Sequence, residues 1–194
     1  MSAGVEIEVK LAVTDRDGAA RRLVEVGATI VTARDFEDNW LFDHPDGRLK
    51  QQKVMVRLRE CGGRAWLTLK EELASDAAAA TGDYKVRQET ETACEDGNAI
   101  RAVLKALGMV VAYRYQKHRA TYRIDDLLIT LDEVPIGVYI ELEGAPDDID
   151  RCARRLGYSR DDYINVSYRA LQRRTMRDGD DEPVEMLFDD EARR

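Results

Sequence analysis

Charged side chains of one sign recur two residues apart along this chain. Residues two apart in a β-strand point to the same face, so each pair would present two like charges side by side. The acidic pairs are Glu6/Glu8, Glu89/Glu91 and Glu141/Glu143, and Asp132 is a single acidic residue in a similar strand. The basic ones are Arg57/Arg59, Lys117/Arg119 and the single residues Lys10, Lys70 and Arg87. Clustered carboxylates bind hard divalent cations, whereas guanidinium and ammonium groups bind phosphate oxygens.

Together, the two sets could hold a polyphosphate and the cation that accompanies it. Mg²⁺ or Mn²⁺ on carboxylates would neutralise phosphate oxygens, and two metals would stabilise the attacking and leaving oxygens of a phosphoryl transfer. This chemistry requires a closed sheet whose charged face turns inward as a polar lumen. The alternative is an open sheet with ion pairs on its wet face, each contributing little stability. Periodicity alone leaves both interpretations open.

The elements that must position these charges are short strands. Val5 to Leu11 alternates apolar and charged residues without a break, which predicts a half-buried strand. Similar patterns predict strands at 29–32, 35–43, 54–59, 65–70, 84–93, 110–123, 127–134 and 138–144. Gly62-Gly63 predicts a tight hairpin turn. The chain shows neither βαβ alternation nor a glycine-rich phosphate loop.

Helices are predicted between some of these strands. The patterns place them at 18–26, from Asp96 to Gly108, and at 149–156. A further helix is expected to begin near Asp161 and to carry Ser167-Tyr168-Arg169. The small-residue stretch 73–83 is interpreted as a mobile loop, with a short Ala-rich helix as the alternative.

Composition describes a globular chain with a heavy charge load. Its 194 residues are 44% hydrophobic and 35% charged, with a formal net charge of −8, which argues against binding to nucleic acid or an anionic membrane. His44 and His118 are the only histidines, which argues against a zinc centre. Three widely spaced cysteines, no signal peptide and no membrane-length apolar run favour the cytoplasm. We expect one domain at 1–172 and a charged, largely disordered tail at 173–194, with a docking segment at 184–188.

In order along the chain, the motifs resemble those of a known family. They are Glu6-Ile7-Glu8-Val9-Lys10 (ExExK), Arg57-Leu58-Arg59, Leu67-Thr68-Leu69-Lys70, Arg87-Gln88-Glu89-Thr90-Glu91, Lys117-His118-Arg119, Leu131-Asp132-Glu133-Val134 and Glu141-Leu142-Glu143. As a set, over residues 5–170, they resemble the CYTH superfamily, or triphosphate tunnel metalloenzymes. That superfamily includes class IV adenylate cyclases, thiamine triphosphatases and inorganic triphosphatases.

The resemblance implies an α+β fold that is mainly antiparallel: a closed eight-stranded β-barrel forming a tunnel, with helices packed outside. It implies that the triphosphate is held by Lys10, Arg57, Arg59, Lys70, Arg87, Lys117 and Arg119. It implies that Mg²⁺ or Mn²⁺ is held by Glu6, Glu8, Asp132, Glu141 and Glu143, with Glu89 and Glu91 as supporting residues. Glu6, Glu8 and Lys10 are the expected catalytic residues. Cyclase-like members also suggest a homodimer.

Three functions stay open at this level. The chain could be a cyclase, in which a ribose hydroxyl attacks the α-phosphorus, or a phosphohydrolase, in which water attacks the terminal one. It could also be a non-catalytic module that binds a nucleotide or polyphosphate in the same tunnel. The family's pattern is altered at residues 35–43, where Trp40 is expected near the tunnel mouth.

Overall fold

In the computed structural model, which describes residues 2–73, 82–177 and 179–189, nine strands form one sheet. The strands are β1 (Ser2–Val13), β2 (Thr29–Asp43), β3 (Val54–Cys61), β4 (Arg64–Glu72), β5 (Lys85–Cys94), β6 (Val110–Ile124), β7 (Leu127–Val134), β8 (Gly137–Glu143) and β9 (Glu185–Met186). The helices are α1 (Arg16–Glu25), α2 (Arg48–Gln51), α3 (Gly97–Ala106), α4 (Pro146–Arg155) and α5 (Tyr168–Thr175), with a 3₁₀ turn at Arg160–Asp162.

Eight of these strands close into a barrel. Their order is β2-β3-β4-β5-β1-β8-β7-β6, and β6 pairs again with β2, so that the sheet closes on itself. Every neighbouring pair in this ring is antiparallel. The short β9 adds a parallel pairing to β6 outside the ring. The predicted closed eight-stranded barrel is therefore confirmed.

The apolar face of the barrel wall points outward and is covered by helices. Val9 and Leu11 of β1 are fully buried with Leu23 of α1 and Ile149 of α4. On the other side, α3 packs over the outer faces of β3 and β4, with Leu58 at the centre of that cluster. Each such side chain contributes roughly 1.5–3 kcal/mol on burial. Because strand side chains alternate, this arrangement directs the charged face inward, as the lumen interpretation required.

The structure corrects two predicted elements and adds one helix. Residues 29–43 form one strand, where two strands were predicted at 29–32 and 35–43. Irregular pairing between Ile30 and Asp35 takes the place of the predicted interruption. The short α2 was not predicted; the Asp43 carboxylate accepts hydrogen bonds from the amides of Leu49 and Lys50 and so stabilises it. The expected helix from Asp161 is wrong. A 3₁₀ turn occupies that position, and α5 begins only at Tyr168.

Trp40 does not lie at the tunnel mouth as expected. It packs on the outside of β2 with residues of α3, and the guanidinium groups of Arg101 and Arg114 lie over its ring at 5.2 and 4.1 Å. The reason is the alternation of β2: the inward positions on either side of Trp40 are Asn39 and Leu41. Trp40 therefore belongs to the outer packing layer.

Part of the segment beyond residue 172 lies against the barrel. Helix α5 continues to Thr175, and Met186 of β9 is buried. The expected docking segment 184–188 contains β9. Residues 74–81 lie outside the described residues, and most of the loop predicted at 73–83 falls there. Residues 178 and 190–194 are also outside them, and the largely disordered tail at 173–194 stays a prediction. Across the described ranges, no helix is both long and apolar enough to span a bilayer.

Helix α3 offers a test of local stability. The Asp96 carboxylate accepts hydrogen bonds from the amides of Asn98 and Ala99, which otherwise have no intrahelical partner. We expect Asp96→Ala to lower the free energy of unfolding by about 1 kcal/mol. Urea denaturation followed by circular dichroism measures this, with the adjacent exposed Glu95→Ala as control. Equal stability of the two variants would show that the cap contributes nothing.

Candidate functional site

The charged inner face of the barrel surrounds a cavity of about 440 Å³. Of the fourteen site residues predicted from the sequence, thirteen line it. They are Glu6, Glu8, Lys10, Arg57, Arg59, Lys70, Arg87, Glu89, Glu91, Lys117, Arg119, Glu141 and Glu143. The fourteenth, Asp132, does not line the cavity and is fully buried in the wall. Residues spread over the chain from 6 to 143 are thus brought together by barrel closure.

Asp132 is the counter-ion of the basic side of the cavity. Its carboxylate accepts hydrogen bonds from Lys117 Nζ at 3.0 Å, from Arg119 Nε at 2.6 Å and from the Tyr168 hydroxyl at 2.9 Å. The guanidinium of Arg119 also contacts Glu141. With these partners in place, Asp132 holds two cations in position. It could ligate a metal only after giving them up.

A second carboxylate among the cations, Glu37 of β2, was not predicted. It is buried, and it lies 3.4 Å from Arg59 and 3.5 Å from Lys117. Burial opposes its ionisation, but the charges of Lys117 and Arg119 outweigh this effect and lower the pKa of Glu37 to about 2. Glu37 is therefore a fixed negative charge that balances the basic side.

Arg57 and Arg59 retain donors for a ligand. Arg57 reaches Thr68 and the Tyr115 hydroxyl only at 3.4 and 3.5 Å, the long end of the hydrogen-bond range. The Nε atoms of both arginines are buried, and neither has a hydrogen-bond partner within the described residues. A buried donor without an acceptor is costly, and phosphate oxygens are good acceptors for a guanidinium. Both side chains are thus suited to bind an anion.

Glu8 is the centre of the opposite, acidic side. It lies 3.1 Å from Lys10 Nζ and also contacts Lys85 Nζ. Burial acts to raise the pKa of Glu8, but these two ammonium groups hold it well below its usual range. For Lys85, burial is the larger effect and lowers the pKa of the ammonium group. Glu8 is therefore charged, and its two lysines supply the compensating charge.

Glu143 stands out because it faces another carboxylate. In the register of β1 and β8 it lies directly opposite Glu8, and like charges in opposed positions are destabilising. Within the described part of the chain it makes no ion pair, whereas Glu6 is bound by Lys70 at 2.5 Å. Burial, followed by the charge of Glu6, raises the pKa of Glu143 to about 7. This corner of the cavity holds more negative charge than its lysines neutralise locally.

The carboxylates of Glu6, Glu8 and Glu143 match the donor set of a hard divalent cation. All are oxygen donors, and they come from adjacent positions on β1 and its neighbour β8. In the residues that the structure describes, no three acidic, histidine or cysteine side chains are already gathered closely enough to hold a metal. A cation would therefore draw Glu8 or Glu6 away from its lysine and would relieve the repulsion at Glu143. The residues present fit Mg²⁺ or Mn²⁺ on these grounds.

The cavity carries both signs of charge in similar numbers. The cations that line it are Lys10, Lys50, Lys53, Arg57, Arg59, Lys70, Lys85, Arg87, Lys117, Arg119 and Arg169. The carboxylates that line it or are buried in its wall are Glu6, Glu8, Glu37, Asp43, Glu89, Glu91, Asp132, Glu141 and Glu143. If all were ionised, the eleven positive charges would exceed the nine negative charges by two. A strongly charged anion entering alone would leave an excess of negative charge, which divalent cations entering with it would offset.

A known protein family matches most of this chain. The family model described as the CYTH domain matches residues 4–168. The chain belongs to the CYTH family. A protein of Methanocaldococcus jannaschii, provisionally named an adenylate cyclase, is 24% identical over 179 residues, which cover 87% of this chain and 98% of the relative.

Solved structures share the CYTH barrel. A provisionally named adenylate cyclase from Vibrio parahaemolyticus superposes with a TM-score of 0.76 at 19% identity, covering 89% of this chain and 99% of the other. A protein from Hippeastrum, provisionally named an adenylyl cyclase and described as having a dominant triphosphatase activity, gives a TM-score of 0.58 at 20% identity, with coverage of 89% and 97%. These likenesses show the fold.

In this CYTH barrel, the unpredicted residues that contact the charged site include Glu37, Lys85 and Tyr168. Lys85 shares the predicted inward face of Arg87, and that alternation could have identified it. Tyr168 enters the barrel from α5, where its ring lies 5.4 Å from Lys10 Nζ and 5.9 Å from Lys117 Nζ. No local pattern signals this insertion, because it depends on where α5 packs.

Proposed function

We propose that this protein is a Mg²⁺- or Mn²⁺-dependent enzyme that acts on a triphosphate. The observation that carries the proposal is a cavity lined by both signs of charge, with basic side chains on one side and a cluster of carboxylates on the other. Polyphosphate needs both sets at once, because its oxygens bind arginines and also bridge divalent cations. The fold and the CYTH motifs support the same reading. The names of the relatives are consistent with either cyclase or triphosphatase chemistry.

In this proposal Arg57 and Arg59 bind phosphate oxygens through their terminal guanidinium nitrogens, whose contacts to Tyr115, Thr68 and Glu37 are long, at 3.4 to 3.5 Å. Lys117 and Arg119, oriented by Asp132, bind further oxygens of the same chain of phosphates. Such donors act mainly by positioning and by neutralising charge as it develops on the phosphate and leaving group. They serve equally well whether a ribose hydroxyl or a water molecule attacks.

Glu6, Glu8 and Glu143 would hold the metal. When bound there, the ion supplies charge neutralisation and Lewis acidity at the phosphates. The chain's own residues have two further tasks. Without the metal, Lys10 lies between Glu8 and Glu141, at 3.1 and 3.2 Å, and so orients both carboxylates before a metal binds. Burial of Glu8, Lys10 and Lys117 in the inner wall strengthens the electrostatic interactions that they make.

Product analysis tests the proposal. The protein is incubated with ATP and, separately, with inorganic triphosphate, each with Mg²⁺, Mn²⁺ or a chelator, and products are separated by anion exchange. Cyclic AMP with pyrophosphate identifies a cyclase, and orthophosphate released faster from inorganic triphosphate than from ATP identifies a triphosphatase. Binding without any product would indicate the non-catalytic module. No binding of either compound, or turnover that survives the chelator, would contradict the proposal.

A matched pair of arginine variants separates this activity from contaminating phosphatases. We expect Arg57→Gln to lower kcat/KM about a hundredfold, because it removes a charged donor from the phosphates. Arg64→Gln, at the exposed β3–β4 hairpin, should leave kcat/KM unchanged. Equal activity of both variants would place the reaction outside this cavity.

A further inference from the structure

Three basic side chains meet at one edge of the cavity. Lys50 of α2 and Arg169 of α5 both line it, from different elements, and Arg173 lies one turn further along α5. They form a cluster at the cavity mouth that is separate from the predicted phosphate-binding set. The guanidinium of Arg169 lies over the ring of Tyr113 at 5.2 Å, which fixes its position.

A carboxylate from the C-terminal segment occupies this cluster. One oxygen of Glu182 lies 3.6 Å from Lys50 Nζ and 3.7 Å from Arg169, and its other oxygen lies 3.8 Å from Arg173. Glu182 therefore joins α2 to α5 across the mouth. It takes the place that an anionic group reaching the mouth would take.

The segment that carries Glu182 is attached to the barrel by other contacts. Arg114 N donates to the carbonyl of Val184 at 3.0 Å, and Gln172 Nε2 donates to the carbonyl of Glu185 at 2.8 Å. Met186 is buried beside the aromatic residues that fill this end of the barrel. None of these anchors involves the Glu182 side chain. That side chain can therefore leave the cluster while Val184, Glu185 and Met186 stay in place.

The contacts of Glu182 are weak ones. Its side chain is 58% exposed, and its three distances exceed hydrogen-bonding range. Glu182 therefore makes no hydrogen bond to any of the three basic groups around it. Exposed ion pairs of this kind are readily displaced. A ligand with several closely spaced phosphate oxygens can engage more of these donors than one carboxylate does.

We infer that Lys50, Arg169 and Arg173 form a phosphate-binding site at the cavity mouth, and that Glu182 occupies it in the free protein. The substrate's phosphates displace Glu182 when they bind. The inference rests on the proposed function, since it assigns a further subsite to the same substrate. It makes the C-terminal segment a competitor of substrate and not only a packing element.

Titration calorimetry with imidotriphosphate and Mg²⁺ tests this without turnover. We expect Glu182→Gln to bind the probe at least about threefold more tightly than wild type at low salt, because the internal competitor is gone. The gain should shrink at 0.5 M salt, where exposed charges are screened. In a Lys50→Met background it should be much smaller, because the two residues act through one contact. Glu185→Gln, which removes an exposed charge from the same segment, is the matched control.

The outcomes separate this inference from the proposed function. Wild-type protein that fails to bind the probe overturns both. Wild-type binding with no gain in Glu182→Gln overturns only the mouth site. An equal gain in Glu185→Gln also overturns it, because the effect would then be one of net charge. A salt-sensitive gain in Glu182→Gln alone, reduced by Lys50→Met, is the expected result.

Discussion

A Glu143→Gln variant should be more stable than wild type in the absence of metal and yet lose metal-dependent turnover. Stability rises because the substitution removes a carboxylate that is buried beside Glu6 and opposite Glu8 without an ion pair among the described residues. Turnover falls because the proposed metal loses one of three oxygen ligands. We expect kcat to drop about a hundredfold or more.

The sign of the stability change depends on pH. The folded pKa of Glu143 is raised from 4.5 to about 7, so between these values the folded state binds more protons than the unfolded state. This group therefore lowers wild-type stability as pH rises from about 4.5 to 7, and its cost is complete above pH 7. A shift of this size corresponds to at most about 3 kcal/mol, and solvent screening reduces it to about 1–2 kcal/mol.

Thermal unfolding with a chelator at pH 5 and pH 8, together with kcat in Mg²⁺ or Mn²⁺, measures both effects. The gain in Tm for Glu143→Gln should be larger at pH 8 than at pH 5. Glu25→Gln, on an exposed position of α1, controls for loss of one charge and should change neither quantity. Full activity of Glu143→Gln would show that this residue does not bind the metal. A loss of stability at pH 8 would contradict the repulsion inferred between Glu143 and its neighbours Glu6 and Glu8.

Asp132→Asn should cause the largest loss of stability of the changes considered. Its carboxylate is fully buried and accepts from Lys117, Arg119 and Tyr168. Asparagine keeps the shape but removes the charge, leaving two buried cations short of their counter-ion. Breaking a buried ion pair by removing one partner costs about 3–5 kcal/mol.

Urea unfolding measures this cost, and two variants bracket it. Tyr168→Phe removes one hydrogen bond from the same carboxylate and should cost only about 1 kcal/mol. Asp126→Asn, in the exposed β6–β7 turn, should be within about 0.5 kcal/mol of wild type. If inorganic triphosphate restores more stability to Asp132→Asn than to wild type, its phosphates are replacing the lost negative charge. A loss near that of Asp126→Asn would mean that Lys117 and Arg119 find other partners.

The sequence was sufficient for the strands, their charged faces and most of the cavity lining. Glu6, Glu8 and Lys10 could be assigned to one face because a strand has a side-chain period of two, which does not depend on the rest of the fold. The same alternation places Arg57 with Arg59 and Glu141 with Glu143. Periodicity could not decide whether those faces meet water or each other. The motifs in their order suggested closure, and the pairing of β2 with β6 shows it.

Tertiary structure alone decided which charges neutralise which. Glu37 belongs to β2, which pairs with both β3 and β6. Only these two pairings bring Glu37 close to Arg59 and Lys117. Tyr168 enters the barrel because α5 packs at its end, a position set by contacts far away in sequence. The sequence by itself thus determined which charges share one face of each strand, because side chains alternate every two residues along a strand. Their partners, burial and pKa values depend on strand register and barrel closure, which are properties of the whole chain.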